Sequence, residues 1–422
     1  MTIDVEKIRA QFPALHQPVA GKSTLPVFFD NPAGTQVSKS VIDAVSHYYT
    51  TMNANSGGTF ATSQRTDTMT QNARELMADF LNAPNSQEIA FGPNMTTLNF
   101  SLSRALAKTL NAGDEIVLTR MDHDANVSPW LLIARDHDLI VRWVDINTED
   151  CTLDMNTLEA ALTDKTKIVA TVHASNAVGS INPVKQIAEM AHAAGAYHVV
   201  DAVQSAPHLP IDVQAIGCDF LLCSAYKFFG PHIGILWGKY ELLASLPVYK
   251  VRPSKDKPPH RWEVGTGSYE TIAGVGAAIE YFATIGEQYG EAYQSQFQQL
   301  TERKLHLKTA MAVLGDYERE LASHLLEVLG NLNSAKIYGI TDQTRLEDRV
   351  PTVVFTIEGH TPDEIAAHLA SQDIYVWSGD YYAVEIMDRL NHSENGMVRV
   401  GLAHYNTHAE IDRLEAALKQ LA

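Results

Sequence analysis

Between about residue 75 and residue 280, short apolar runs alternate with helical patterns, and this alternation constrains the fold more than any other feature of the chain. The strand-like runs are Glu115–Thr119, Ile140–Ile146, Lys167–His173, Ala196–Asp201, Phe220–Ser224 and Ile233–Trp237. Among the helical stretches, Asn182 to Gly195 is the clearest, with Val184, Ile187, Ala188 and Ala191 on one face. Asn182 is placed to cap it, Pro183 suits its first turn and Gly195 can end it. Such alternation predicts a mostly parallel sheet with helices on both faces. Ligands of such sheets gather beyond the carboxyl ends of the strands. With 422 residues, the chain has room for a second domain. After about residue 285 the pattern changes. Glu287–Leu329 reads as helices, Arg349–Ile357 as a strand, Thr361–Gln372 as a helix and Met397–Leu402 as a strand. Thr407–Leu421 closes as a helix, with Thr407 and Glu410 spaced as a capping box. A smaller α/β domain is expected there.

Charge and composition exclude several functions. The net charge of −18 disfavours nucleic acid and anionic membranes as partners. No apolar run approaches the length of a membrane span, and the first ten residues carry acids rather than a signal-peptide core. Cys151, Cys218 and Cys223 have neither metal-ligand spacing nor a disulfide framework, and they read as small buried hydrophobes. A cytoplasmic protein is expected.

Chemistry enters at Lys227, which follows the apolar run Phe220–Ser224 and precedes Gly230-Pro231. A lone lysine after a strand is ordinarily a solvated loop residue. Asp201 ends another apolar strand, where a lone aspartate is ordinarily a turn former. Taken together they carry more weight. A lysine at a strand end can form a Schiff base with a carbonyl cofactor, and a buried carboxylate can keep a pyridinium nitrogen protonated. The pair points to pyridoxal phosphate.

Further segments support this. Phe91-Gly-Pro-Asn-Met-Thr-Thr-Leu-Asn99 leaves a short strand and enters a helix, whose first amides and dipole suit a phosphate. Met121-Asp-His-Asp-Ala-Asn126, Val172-His-Ala-Ser-Asn176 and Val200-Asp-Ala-Val-Gln204 each follow or end a strand. Arg261-Trp-Glu-Val-Gly-Thr-Gly267 and Val398-Arg-Val-Gly-Leu402 lie later. Combined, from Phe28-Phe-Asp-Asn-Pro-Ala-Gly34 to Tyr405–Leu414, these segments resemble the class V aminotransferase superfamily of fold-type I pyridoxal-phosphate enzymes, in its cysteine desulfurase and selenocysteine lyase branch.

The resemblance implies a large cofactor domain over residues 26–285 with a seven-stranded, mostly parallel sheet. It implies a small domain over 286–422, with residues 1–25 packed on it. Asn94, Met95 and Thr96 would hold the phosphate, mainly through backbone N–H groups, aided by Ser224 and Tyr226. Tyr226 stands where the family often has histidine. His123 would stack on the pyridine ring and assist proton transfer. Asp201 would pair with the ring nitrogen, and Asn176 and Gln204 would contact the phenolic oxygen. Gly265 and Thr266 would reach the neighbouring subunit's cofactor, so a homodimer is implied. Arg399 would clamp the substrate α-carboxylate, for which a planar fork of donors is well shaped.

One stretch departs from the family. Its desulfurases carry a nucleophilic cysteine on a small-domain loop, and Trp377-Ser-Gly-Asp-Tyr-Tyr-Ala383 matches that loop. In this register Tyr382 replaces the cysteine, while Trp377 and Asp380 replace an arginine and a histidine. No cysteine follows residue 223, and a phenol cannot carry a persulfide. An amino-acid enzyme working by β-elimination (a C–S lyase) or transamination is therefore expected, with Asp380 and Tyr382 facing the substrate. Open alternatives are desulfuration by another route, epimerisation, or a non-catalytic protein that binds pyridoxal phosphate.

Overall fold

The computed structural model describes residues 3–421, so residues 1, 2 and 422 of the expected 1–25 and 286–422 segments lie outside the described residues. In chain order the first eight strands are Val27–Phe28 (β1), Ile89–Gly92 (β2), Glu115–Thr119 (β3), Ile140–Val144 (β4), Thr166–Val172 (β5), Tyr197–Asp201 (β6), Phe220–Ser224 (β7) and Gly234–Gly238 (β8). Those from β2 to β8 form one sheet in the order β2-β8-β7-β6-β5-β3-β4. Only β8 runs against its neighbours β2 and β7; the remaining pairs are parallel. All residues of β3, β7 and β8 are buried. Helices cover both faces, which is why these strands read as unbroken apolar runs rather than alternating ones. At the edge, β4 begins exposed at Ile140.

The expected helix at 182–195 forms over Val184–Ala193, and Gly195 follows it with φ +77°. Its start differs from expectation: Asn182 does not cap it. The Asn182 amide instead donates to the Val172 carbonyl at 2.8 Å, tying the segment to the end of β5. Pro183 occupies the cap position.

The remaining strands are Ala335–Tyr338 (β9), Thr352–Ile357 (β10), Ile374–Tyr375 (β11), Trp377–Gly379 (β12) and Met397–Gly401 (β13). A second, antiparallel sheet takes the order β12-β13-β10-β9. Leu321 and Leu325 of the helix Glu302–Gly330, and Ile411 and Leu414 of the helix His408–Leu418, pack against Val353, Phe355 and Val398 of this sheet. Thr407 makes the complete capping box that its spacing predicts, and Thr361 makes a second one with Glu364.

The N-terminal segment bridges rather than sitting on one part. Arg9 pairs with Glu410 at 3.0 Å, Lys22 pairs with Asp373 at 2.7 Å, and β1 adds a parallel strand to β11. Phe12, fully buried, packs edge-on against Phe229 and Tyr281 of the first part and against His404.

Candidate active site

β6 and β7 are neighbours in register, Asp201 opposite Leu222, so their carboxyl ends open on the same edge. Asp201 is the last residue of β6. Ser224 is the last of β7, and a single 3-10 turn, Ala225–Lys227, delivers the lysine next. Lys227 is 9% exposed, and its Nζ donates to the Pro32 carbonyl. Burial pushes the amine down to about 7; the Arg399 guanidinium adds to this, while Asp201 and Asp30 oppose it. Burial likewise pushes the Asp201 carboxyl up to about 6, against the Val203 N–H, which donates to it at 2.9 Å, and the Lys227 charge. Lysine and carboxyl thus lean on one another's charge inside the fold.

Beyond β3, Asp122 and His123 turn the chain. Asp122 accepts from the Thr119 hydroxyl and, at 2.6 Å, from the Asn126 amide. Burial nevertheless pushes it up to about 8. The His123 Nδ1 accepts from the Ala125 N–H at 3.0 Å, and its ring lies over that of Tyr382, centroids 5.5 Å apart. Burial, with the Lys227 and Arg399 charges, pushes the imidazole down to about 4, so it is neutral at pH 7.

The second sheet supplies the opposite wall. Arg399 on β13 is buried, donates to the Asn176 carbonyl at 2.8 Å and lies 4.2 Å over the Tyr381 ring. The Asn176 amide donates to the Tyr381 carbonyl at 3.0 Å. Tyr381 and Tyr382 both adopt left-handed φ, +54° and +57°, and Tyr382 is 69% exposed. The Asp380 carboxylate accepts from the Tyr382 N–H at 2.9 Å and pins this turn.

On the remaining side, Asn94 caps the helix Met95–Ala107 by accepting from the Thr97 N–H at 2.8 Å. The Met95 N–H donates to the Ser224 hydroxyl at 3.3 Å, so helix start and strand end meet. Asn94 and Thr96 are exposed. β8 runs so close beneath that a Cβ on Gly234 would stand 2.2 Å from the Asn94 carbonyl carbon. Tyr226 stacks on His232 with centroids 4.9 Å apart. Gln204 reaches Thr352 of β10 at 3.2 Å.

The fold therefore assembles His123, Asn176, Asp201, Ser224 and Lys227 at and beyond the carboxyl ends of the large sheet's strands, with Asn94 and Met95 at the adjoining helix start, and sets Arg399 and Tyr382 opposite. Gly265 and Thr266 are exposed on the loop before the helix Tyr269–Tyr289 and share no contact described above with this cluster. Sequence reasoning assigned no role to Asp30, Pro32 or Asp122, and read Tyr381, with Tyr382 and Asp380, as a candidate substrate contact. The signal for the first two was Phe28-Phe-Asp-Asn-Pro-Ala-Gly34, an apolar pair broken by polar turn residues. Burial also pushes Asp30 upward, with Arg399 and Lys227 opposing.

Several buried polar atoms here are unpartnered among the described residues: Asn176 Oδ1, Gln204 Oε1, Arg399 Nε and Asp30 Oδ1. Buried polar groups are normally satisfied, so such a group of them around a buried lysine suits a polar ligand. A helix start on the same edge suits its phosphate. The residues present fit pyridoxal phosphate.

Comparison with known proteins agrees. The model of the family Aminotransferase class-V matches residues 27–316 and 307–414. The chain belongs to the class V aminotransferase family. Membership makes it a pyridoxal-phosphate-dependent enzyme. It is 32% identical to a probable cysteine desulfurase of Synechocystis, over 96% of this chain and 92% of that protein. It is 30% identical to a cysteine desulfurase of Yersinia pestis, over 100% of this chain and 99% of that protein. The solved cysteine desulfurase of Thermococcus onnurineus superposes with a TM-score of 0.86 at 27% identity, covering 100% of this chain and 98% of that one. Fold and cofactor class follow from the family. Among the described residues no helix is long and apolar enough to cross a membrane.

Proposed function

We propose that Lys227 holds pyridoxal phosphate covalently through Nζ and that the enzyme acts on an α-amino acid by β-elimination or transamination, without a protein persulfide. When bound, the cofactor supplies an electron sink that acidifies the substrate Cα–H. The start of the helix Met95–Ala107, with Asn94, Met95 and Thr96, together with Ser224 and Tyr226, would hold the phosphate. Asp201 would pair with the ring nitrogen, while Asn176 and Gln204 would meet the phenolic oxygen. His123, neutral and flat, would cover the ring without adding charge. Arg399, its Nε still unpartnered, would hold the substrate carboxylate. Lys227, near half-neutral at pH 7, is suited to take a proton from Cα and return it.

One observation carries the choice of reaction. Tyr382 stacks on His123 where the family resemblance puts the sulfur-accepting cysteine, and the three cysteines of the chain are all buried elsewhere. Burial pushes Cys151 up to about 11, and Cys218 and Cys223 further. Thiols so protonated are poor nucleophiles. The relatives' names point the other way, so the carbon product of L-cysteine decides. Pyruvate with sulfide and ammonia is expected, and 3-mercaptopyruvate would indicate transamination. Alanine would overturn the reading.

A homodimer fits the surface. Gly265 and Thr266 are exposed, and a groove of about 650 Å³ lined by Ala44, His47, Met69, Ala73, Gly276 and Ala277 lies open. Ile42, Tyr49, Phe60 and Val264 are exposed apolar side chains in the same stretches of chain. A second copy covering this face would bring Gly265 and Thr266 to the partner's phosphate.

A further inference from the structure

Behind Gln204 lies a buried polar chain. His208, 5% exposed, places Nδ1 2.7 Å from Oε2 of Glu318, itself 1% exposed in the middle of the helix Glu302–Gly330. The His208 Nε2 faces the Gln204 amide at 3.5 Å. His404, fully buried, stands behind: Nδ1 lies 3.8 Å from the Glu318 Oε1, and Nε2 lies 2.6 Å from the Tyr281 hydroxyl. Tyr405 packs beside them. Burial alone would raise the Glu318 carboxyl, but the charge and hydrogen bond of His208, with His404 behind, hold it below the usual range. Burial pushes His404 down, leaving it neutral, with Nε2 free to accept from Tyr281.

A buried carboxylate needs a counter-charge, and His208 is the group in contact to supply it. An imidazolium has two donors and no acceptor. With Nδ1–H spent on Glu318, Nε2–H points at Gln204 and requires the amide oxygen there. The Thr352 hydroxyl, 3.2 Å from the same end of the amide, can donate to that oxygen too. As placed, the amide turns Nε2 toward His208 and leaves Oε1 buried and unpartnered. Half a turn of the amide exchanges two ends of equal shape and gives the oxygen two neighbours that can donate to it, His208 and Thr352. The NH2 then occupies the unpartnered end, as a donor.

We infer that His208 and Glu318 are positioning residues that fix the Gln204 amide with its oxygen toward His208, so that its NH2 is offered to the cofactor's phenolic oxygen. This rests on the assignment of Gln204 to the cofactor. Fixing the donor end keeps that oxygen anionic. An acceptor at the same place would repel it.

The test reads the visible absorption band of protein reconstituted with pyridoxal phosphate, titrated with pH. Glu318→Gln removes the carboxylate that anchors the His208 ring through Nδ1 and so frees the amide to turn. Its band midpoint should rise by about one to two units, the effect of losing one donor to a charged acceptor. In a Gln204→Leu background the same change should move nothing further, since its effect passes through that amide. A Glu318→Gln midpoint equal to wild type overturns the inference, as does a shift that persists without Gln204. Should Glu318→Gln fail to fold, His208→Phe with Glu318→Leu buries no lone charge and is read the same way. Wild-type protein that develops no visible band would overturn the cofactor assignment itself, a distinct result.

Discussion

Lys227 shows how a side chain acquires chemistry from its surroundings. A solvated lysine is cationic at pH 7, but this one is enclosed, with a guanidinium nearby, and its amine falls to about 7. Neutral amine is the form that attacks a carbonyl. Covalent uptake of pyridoxal phosphate by cofactor-free protein should therefore rise about fivefold from pH 6 to pH 7 and level off above pH 8, the course of an amine titrating near 7. A stopped-flow pH series checks this; a rise centred near 10 would show that the amine is not enclosed in solution. Arg399 contributes to the depression and also faces the substrate side. Arg399→Ala should raise KM for the amino acid about tenfold to hundredfold, the loss of a charge-assisted pair. The cofactor band should stay in place. Unchanged KM in steady-state kinetics would remove Arg399 from its clamp role.

At the scale of elements, the site depends on backbones that approach closely. Gly234 allows β8 to pass under the cap of the helix Met95–Ala107, where any Cβ would overlap the Asn94 backbone. Gly234→Ala must push strand and helix apart, and overpacking of this kind costs about 1–3 kcal/mol. We expect cofactor affinity to fall at least tenfold by equilibrium dialysis, with a smaller loss of thermal stability. Wild-type affinity would mean that the helix start holds no phosphate. The turn at Tyr381 and Tyr382 is the complementary case. Two consecutive non-glycine residues in the left-handed region cost about 1–3 kcal/mol each. That cost is offset by the Tyr381 ring under Arg399 and by its hydroxyl donating to the Met397 carbonyl. Such a turn holds Tyr382 over His123, where a smaller or thiol side chain would present different chemistry.

At the scale of the whole molecule, two sheets meet across the site: β6 and β7 bring the aspartate and lysine, β13 brings the arginine, and β10 backs Gln204 through Thr352. The N-terminal segment ties both parts, by Phe12 in one core and Arg9 on Glu410. The open groove lined by Ala44, Met69 and Ala277 should be covered by a second copy in solution. Light scattering should give twice the chain mass, and Thr68→Arg in the groove should yield a monomer with weakened cofactor binding. A wild-type monomer that binds cofactor fully would refute the shared site.

How far the sequence reached is clear from particular residues. Strands Glu115–Thr119 and Phe220–Ser224 were legible to the residue, because burial on both faces leaves an unbroken apolar run and the strand ends where polarity returns. Lys227, Asp201, His123, Asn176 and Arg399 were legible because each sits at or beyond a strand, beside a short motif. Asn182 was misread because local spacing promised a cap, while a carbonyl brought near by folding took its amide. Asp30 and Asp122 lie inside quoted motifs, yet residue type and spacing gave them no role; burial makes them part of the site. The sequence by itself determined the α/β alternation, the family and the cofactor chemistry, since these rest on local pattern and residue type. Only the tertiary structure decided the charge states of Lys227, His123 and Asp201, the Tyr382 stack and the buried chain behind Gln204. Those depend on desolvation and on which side chains folding brings together, which no local pattern encodes.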